Sequence, residues 1–501
     1  MSAPLSDERR DVIPRWRDVK KTIALGELLP SRSVESIVLP RDFLTDKIRD
    51  WEANKIWPLA AEVAGAALVL NELDAGQQAA EFIVGQVPDA PPQVREIAAK
   101  ILRLRATKIP DRVDRDAIVI SLREAKMMTR IDPRDAFAWV ELSRNYAILG
   151  QIKPALHSVK LALALAPNHR YVLRSAARLY THIGEHSRAY DLIRRAEATP
   201  YDPWLLSAEI ATAALAEKSS SHLKVARKLL ESSNISAFDK TELASALATE
   251  DANAGNLRGA RRLFRESLER PNDNSIAQAR WAASHKIIDL NPDVLRVRQA
   301  YEARAWYAFY AGDWALGLKA GTRWLKDQPF SASPAVHASY IAAVALENHD
   351  RAIEILDIGR TANPRDPNIL NNLSYSLACT GQLDKADSTL SLISRNALSS
   401  SVEAAVLATA GLVRYRRGNT KQGRHLYEQA MEKARGSSND RLYAKAALFL
   451  ALEELRAGTD DAIGAVENAI HLSSKYQNAD FNMLRSKVET AVEQFTAAGS
   501  A

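Results

Sequence analysis

The sequence predicts an all-α protein, a solenoid of stacked antiparallel helix pairs. Three observations carry that expectation. The stretch AWVELSRNYAILGQIKPALHSVKLALALAP, from Ala138 to Pro167, holds two runs of apolar residues separated by a glycine and closed by a proline. Their spacing of three, four and seven is that of one helix face. The same arrangement returns 34 residues later and again near residue 370. Glycine and proline number 20 each among 501 residues, few for a chain of tight β turns and compatible with long helices joined by short connections.

Taken in order from the amino terminus, residues 1–50 fall outside any repeat; they hold several prolines and the polar run SRSVES. They read as an N-terminal arm or cap with freedom to move. Residues 51–132 read as divergent helical hairpins, as in WPLAAEVAGAALVLNELDAGQQAAEFIV. Residues 133–270 hold the clearest repeats. In the first, Trp139, Leu142, Ser143, Tyr146, Gly150, Ala155, Val159, Ala162 and Pro167 form a template. Gly150 suits the end of a helix, because glycine tolerates the left-handed conformation found there, and Pro167 stops the next helix. The small residues Ser143, Ala155 and Ala162 let two helices approach closely. The next repeat places Leu173, Ala176, Ala177, Tyr180, Gly184, Ala189, Ile193 and Ala196 on the same template, with Pro200 one residue early.

An irregular helical insertion is expected over 271–298, around NSIAQARWAASHKIIDL, and repeats resume over 299–398. There Leu370, Leu373, Ser374, Leu377, Gly381, Ala386, Leu390 and Ile393 fit the template, and the hairpin before them carries Ala352, Leu356, Gly359 and Pro364. Weaker units show small-residue anchors at Ala226, Ala260, Gly317, Gly423 and Ala462. Residues 399–478 read as divergent repeats, and 479–501 as a capping helix with a frayed tail, FTAAGSA. One hairpin cannot bury its apolar faces alone, so neighbours must stack to share a core.

This pattern resembles the tetratricopeptide repeat, closely over 136–203 and 333–398 and loosely through the rest of 52–478. The resemblance implies a right-handed superhelix whose first helices line a long concave groove. Positions one, four, eight, eleven and twelve residues into each unit would face that groove. In the first clear unit these are Phe137, Val140, Arg144 and Ile148, and in the next Tyr171, Arg174, Arg178, Thr181 and His182.

Three groove clusters follow as candidate partner-binding sites. Arg144, Arg174 and Arg178, with Tyr171 and His182 beside them, could clamp a carboxylate or phosphate through charge-assisted hydrogen bonds. The competing structural reading is a set of solvated arginines. The family's carboxylate clamp uses Lys and Asn, whereas Val140 and Arg144 stand at the first such pair, so capture of a chaperone tail is not expected. Trp306, Phe309 and Tyr310 would anchor a peptide or helix, since aromatics bury much area at low entropic cost; alternatively they fill a core widened by the insertion. Asn371, Asn372 and Tyr375 resemble the NNL start of peptide-binding family members, and an asparagine can bond both polar groups of a peptide backbone.

Chemistry beyond binding has little support. Lys plus Arg number 67 against 61 Asp plus Glu, with pI near 9.1, and no block of like charge marks a nucleic-acid tail. Nucleic acid is therefore the less favoured partner. No secretory signal and no apolar run of about 20 residues is present, so a cytoplasmic protein with no membrane partner is expected. Cys379 is the one cysteine, which excludes an intrachain disulfide. Phosphate-loop, dinucleotide, zinc-protease and nucleophile-elbow motifs are missing. His182 and His186 have metal-ligand spacing without a third ligand, and Cys379 has no evident oxyanion loop, so neither catalytic residue, metal nor cofactor is expected. The reading is a non-catalytic scaffold or adaptor that binds a partner polypeptide, one with an acidic segment among the candidates. The alternatives are a nucleic-acid-binding repeat protein and a sensor or regulatory subunit of an enzyme assembly.

Overall fold

The computed structural model describes residues 10–24, 41–70, 72–73, 75–87, 90–106, 115–394 and 398–499. All regular structure among them is helical, and none of the helices is long and apolar enough to cross a membrane. The chain divides into two compact units. The N-terminal unit comprises Asp11–Tyr146 and Ile152–Arg270, and the C-terminal unit Met1–Arg10, Ala147–Gln151 and Pro271–Ala501.

In the N-terminal unit, helices Arg41–Ala53, Trp57–Leu70, Gln77–Gln86 and Pro92–Ala106 share a core built on Trp51, Val63, Ile83 and Ile101. Helix Arg115–Ile131 leads into the regular pairs: Ala136–Ile148 with Ile152–Leu165, Arg170–His182 with His186–Arg195, Pro203–Leu215 with Leu223–Leu230, and Ala237–Asn253 with Leu257–Ser267. The C-terminal unit opens with helix Asp273–Ser284 and a 3-10 turn, Pro292–Arg296. It continues as Tyr301–Ala311 with Trp314–Asp327, Ala332–Tyr340 with His349–Ala362, and Pro367–Cys379 with Leu383–Ser391. Ser400–Arg416 with Thr420–Gly436 and Asp440–Ala457 with Ala462–Ser473 follow, and Ala479–Gly499 closes the unit.

The template residues explain this pairing. Gly184 and Gly381 sit at φ +80° and +78°, where a β-carbon is disfavoured and the chain reverses between helices. The anchors Ala155, Ala189, Ala352 and Ala386 are fully buried. Ser143 Oγ donates to the Ala155 carbonyl at 2.9 Å, and Ser374 Oγ to the Ala386 carbonyl at 2.7 Å. Equivalent template positions thus make the same interhelical bond in two distant repeats, which establishes the register as structural. Asp202 and Asp366 each cap a first helix that begins with proline, accepting two backbone N–H groups, a cap worth about 1 kcal/mol.

First and second helices differ in burial. The helix Pro203–Leu215 is buried without a break from Pro203 to Ala213, whereas its partner Leu223–Leu230 buries Ala226 and Leu230. Arg170–His182 is likewise buried from Arg170 to Ala177, while His186–Arg195 buries Ala189, Tyr190 and Ile193. A first helix packs against its own partner and against the first helices on either side; a second helix keeps one face in water.

Candidate functional site: the first-helix face

In the N-terminal unit the first-helix face already holds polypeptide. Residues 11–18 have no regular structure, and one helix follows, Val19–Ala24. Arg144 Nε donates to the Trp16 carbonyl at 3.2 Å, and Tyr171 Oη donates to the Arg17 carbonyl at 2.9 Å. The Val19 N–H donates to Glu141 Oε1 at 2.8 Å, the same oxygen that Tyr171 Oη reaches at 2.8 Å. Val12, Pro14 and Trp16 are buried while Asp11, Ile13 and Arg15 are half-exposed; the Ile13 N–H closes a tight turn onto the Asp11 carbonyl at 2.8 Å, and the chain from there to Asp18 is non-helical. Trp16 is 0% exposed and Arg17 1%. Burial pushes the Glu141 carboxyl up to about 7, opposed by the Arg144 charge and assisted by Asp18.

The other residues of the arginine cluster lie apart from this contact. Arg174 is buried and sends Nη1 to the Trp204 carbonyl at 2.8 Å and Nη2 to Glu242 Oε2 at 2.9 Å, with its guanidinium over the Trp204 ring. A carboxylate from within the unit thus occupies the charge-assisted bond expected of a ligand. Arg178 is half-buried beside His182. Burial, and secondarily the Arg178 charge, holds the His182 imidazole down at about 4, so it is neutral at physiological pH. His186 Nδ1 lies 3.1 Å from the Leu215 carbonyl.

In the C-terminal unit the aromatic cluster surrounds a buried histidine. Trp306 lies edge-on to Phe309 and His337 and stacks on Tyr310 at 5.9 Å. Phe309 is buried, with Trp314 and Tyr340 also against it. Burial holds His337 down at about 4. Trp306 and Tyr310 keep partial exposure, and the Arg280 guanidinium lies 4.4 Å from the Tyr310 ring centre. Asn371 and Asn372 are fully buried, Asn372 Nδ2 lying 3.5 Å from Ser339 Oγ. Tyr375 is half-buried between His349 and Phe449. Cys379 is half-buried too, and burial pushes its thiol up to about 11, unfavourable for a nucleophile at neutral pH.

Sequence reasoning missed Glu141, Glu242 and the N-terminal residues. Arg10 is held within the C-terminal unit by both carboxylate oxygens of Glu302, at 2.8 and 3.1 Å, by Gln278 Oε1 at 2.7 Å and by Asn274 Oδ1 at 3.0 Å. Gln278 Nε2 returns a bond to the Arg10 carbonyl at 2.6 Å. The sequence carries only a faint signal: Pro14 and Trp16 alternate with Arg15 and Arg17 in DVIPRWRDV, while Ile13 is as apolar as Val12.

This architecture and register are those of a tetratricopeptide-like helical-repeat protein. No family model and no curated protein matches the chain. Among solved structures, the chain is similar at 13% identity to the APC/C hetero-tetramer Cut9–Hcn1, with TM-score 0.33 over 91% of this chain and 96% of that one. It is similar at 13% identity to yeast Tom70, with TM-score 0.30 over 88% and 96%. A third likeness, also at 13%, is to Naa15/Naa10 bound to HypK-THB, with TM-score 0.26 over 95% and 86%.

Proposed function

We propose that the chain is a non-catalytic scaffold that binds a partner polypeptide in extended form along its first-helix face. One observation carries this reading: Arg144, Tyr171 and Glu141 bond main-chain atoms of Trp16, Arg17 and Val19 there. Main-chain hydrogen bonds recognise a peptide whatever its sequence, and the side-chain pockets beside them add selectivity. The half-buried Arg178 within the N-terminal unit and, as a separate surface within the C-terminal unit, Trp306, Tyr310 and Tyr375 are further proposed partner contacts. The pairing of Arg174 with Glu242 supports a structural role for Arg174 rather than a free anion clamp.

The test is affinity capture from the native cell with wild type, Arg178→Glu and Tyr310→Ala, with and without nuclease. A protein partner retained through nuclease and reduced at least several-fold by either variant is the expected result. Capture abolished by nuclease would replace this reading with nucleic-acid binding, which also predicts a steep loss of affinity with salt.

A further inference from the structure

We infer that residues 11–24 are a displaceable occupant of the partner site, and that a partner enters with a segment of the same chemistry. That chemistry is a non-helical segment with buried apolar side chains at alternate positions, the last a large aromatic followed directly by a cation. The inference rests on the scaffold reading above and names the kind of partner the same face takes.

The contacts are those of a bound peptide. The segment lies 122 to 154 positions in sequence from Glu141, Arg144 and Tyr171, so no local folding brings them together. Three hydrogen bonds reach backbone atoms of Trp16, Arg17 and Val19; none depends on which side chains the occupant carries. Val12, Pro14 and Trp16 turn inward at every second position, and Arg17 is buried next to Trp16. A second segment with that alternation and an aromatic–cation pair would satisfy the same donors, acceptor and pockets. Until Val19 the segment has no helix of its own, so little internal structure is lost when it leaves. Its covalent attachment supplies a local concentration on the order of millimolar. The partner must therefore exceed that advantage, or bind after it is removed.

Cutting the tether tests this while starting from the full folded chain. A site for a sequence-specific protease is introduced between Ala24 and Arg41 in an Arg10→Ala chain, which removes the side-chain bonds to Glu302, Gln278 and Asn274, and the purified chain is cleaved. Fluorescent peptide of residues 11–24 is then added in excess, and gel filtration with fluorescence anisotropy follows the exchange. The helical circular-dichroism signal reports whether the remainder stays folded. The expected result is release of the native fragment, binding of the labelled peptide to a folded remainder, and at least tenfold weaker binding of the Trp16→Ala peptide. Three results overturn the inference: a native fragment that never exchanges, a remainder that loses its helix signal when the fragment leaves, or equal binding of the Trp16→Ala peptide. Any of these makes the segment a fixed structural element and leaves the scaffold reading to the capture experiment, whose Arg178 and Tyr310 variants lie outside this contact.

Discussion

Replacing Gly423 by alanine is expected to destabilise the C-terminal unit, although alanine favours helix. Helices Ser400–Arg416 and Thr420–Gly436 cross at Gly411 and Gly423, each covered by a tyrosine from the other helix. A β-carbon at Gly423 would lie 2.5 Å from Tyr415 Cδ2 and 3.0 Å from the Gly411 carbonyl; one at Gly411 would lie 2.8 Å from Tyr427 Cδ2. Ordinary carbon contacts fall near 3.5–4.0 Å, so about 1 Å must be recovered by movement. The Tyr415 ring is not free to give way, because its hydroxyl is bonded to Glu454 Oε1 at 2.5 Å and Arg424 holds the same carboxylate. Overpacking of this kind costs about 1–3 kcal/mol, and the gain in helix propensity offsets about 1 kcal/mol. The net expectation is about 0–2 kcal/mol of destabilisation, or up to roughly thirty-fold faster local opening. Gly464 is the control: nothing lies within 4 Å of its added β-carbon, so Gly464→Ala should stabilise by about 0.5–1 kcal/mol. Hydrogen exchange followed by mass spectrometry reads both changes locally, which suits a repeat array that does not unfold as a single two-state unit. If Gly423→Ala slowed exchange in Ser400–Gly436 as Gly464→Ala does in its own helix, the crossing would not be close-packed.

Removing one partner of the Arg174–Glu242 pair, by Arg174→Met or Glu242→Gln, should cost about 3–5 kcal/mol because it leaves a buried polar or charged group uncompensated. The double change to Met and Leu should recover most of that loss in a thermal melt. Ser143→Ala and Ser374→Ala should each cost about 0.5–1.5 kcal/mol, and their effects on exchange should add, since they lie in different units. The raised Glu141 carboxyl makes the stability of the N-terminal unit pH-dependent. Its folded value of about 7 exceeds the ordinary 4.5, so its favourable contribution is complete below 4.5 and is lost as pH rises from there to about 7, a change on the order of 1–3 kcal/mol. Protection of the helices Ala136–Ile148 and Arg170–His182 from exchange, after correction for the intrinsic rate, should fall across that window and stay flat in Glu141→Gln. Finally, Cys379 should react with a thiol-selective disulfide reagent at pH 7.5 at least tenfold more slowly than a free cysteine, and reach the free rate on unfolding.

The repeat was legible because its cause is local. Ser143 and Ala155 lie twelve residues apart on one hairpin, as do Ser374 and Ala386, so one template captures both the sequence spacing and the contact. Arg174 misled for the opposite reason. Its spacing on a first helix was read directly, but its destination depends on Glu242, 68 residues onward, and no periodicity links the two. Asn371 and Asn372 likewise stand at groove positions of the template yet are fully buried, because neighbouring elements close over that part of the first helix. The N-terminal segment carried only a short alternation, too brief to reveal what covers it. Long-range polar pairing was thus hidden wherever packing partners came from outside the hairpin.

The uneven burial of first and second helices has a consequence for how this sequence can drift. A substitution at almost any position from Pro203 to Ala213 meets a neighbour, whereas most positions of Leu223–Leu230 face water. Surface changes of the second kind commonly stay within about 0.5 kcal/mol. Over long divergence the outer helices can therefore lose recognisable sequence while the inner ones keep theirs. A motif weighted equally over all 34 positions fades in such a chain well before its architecture does.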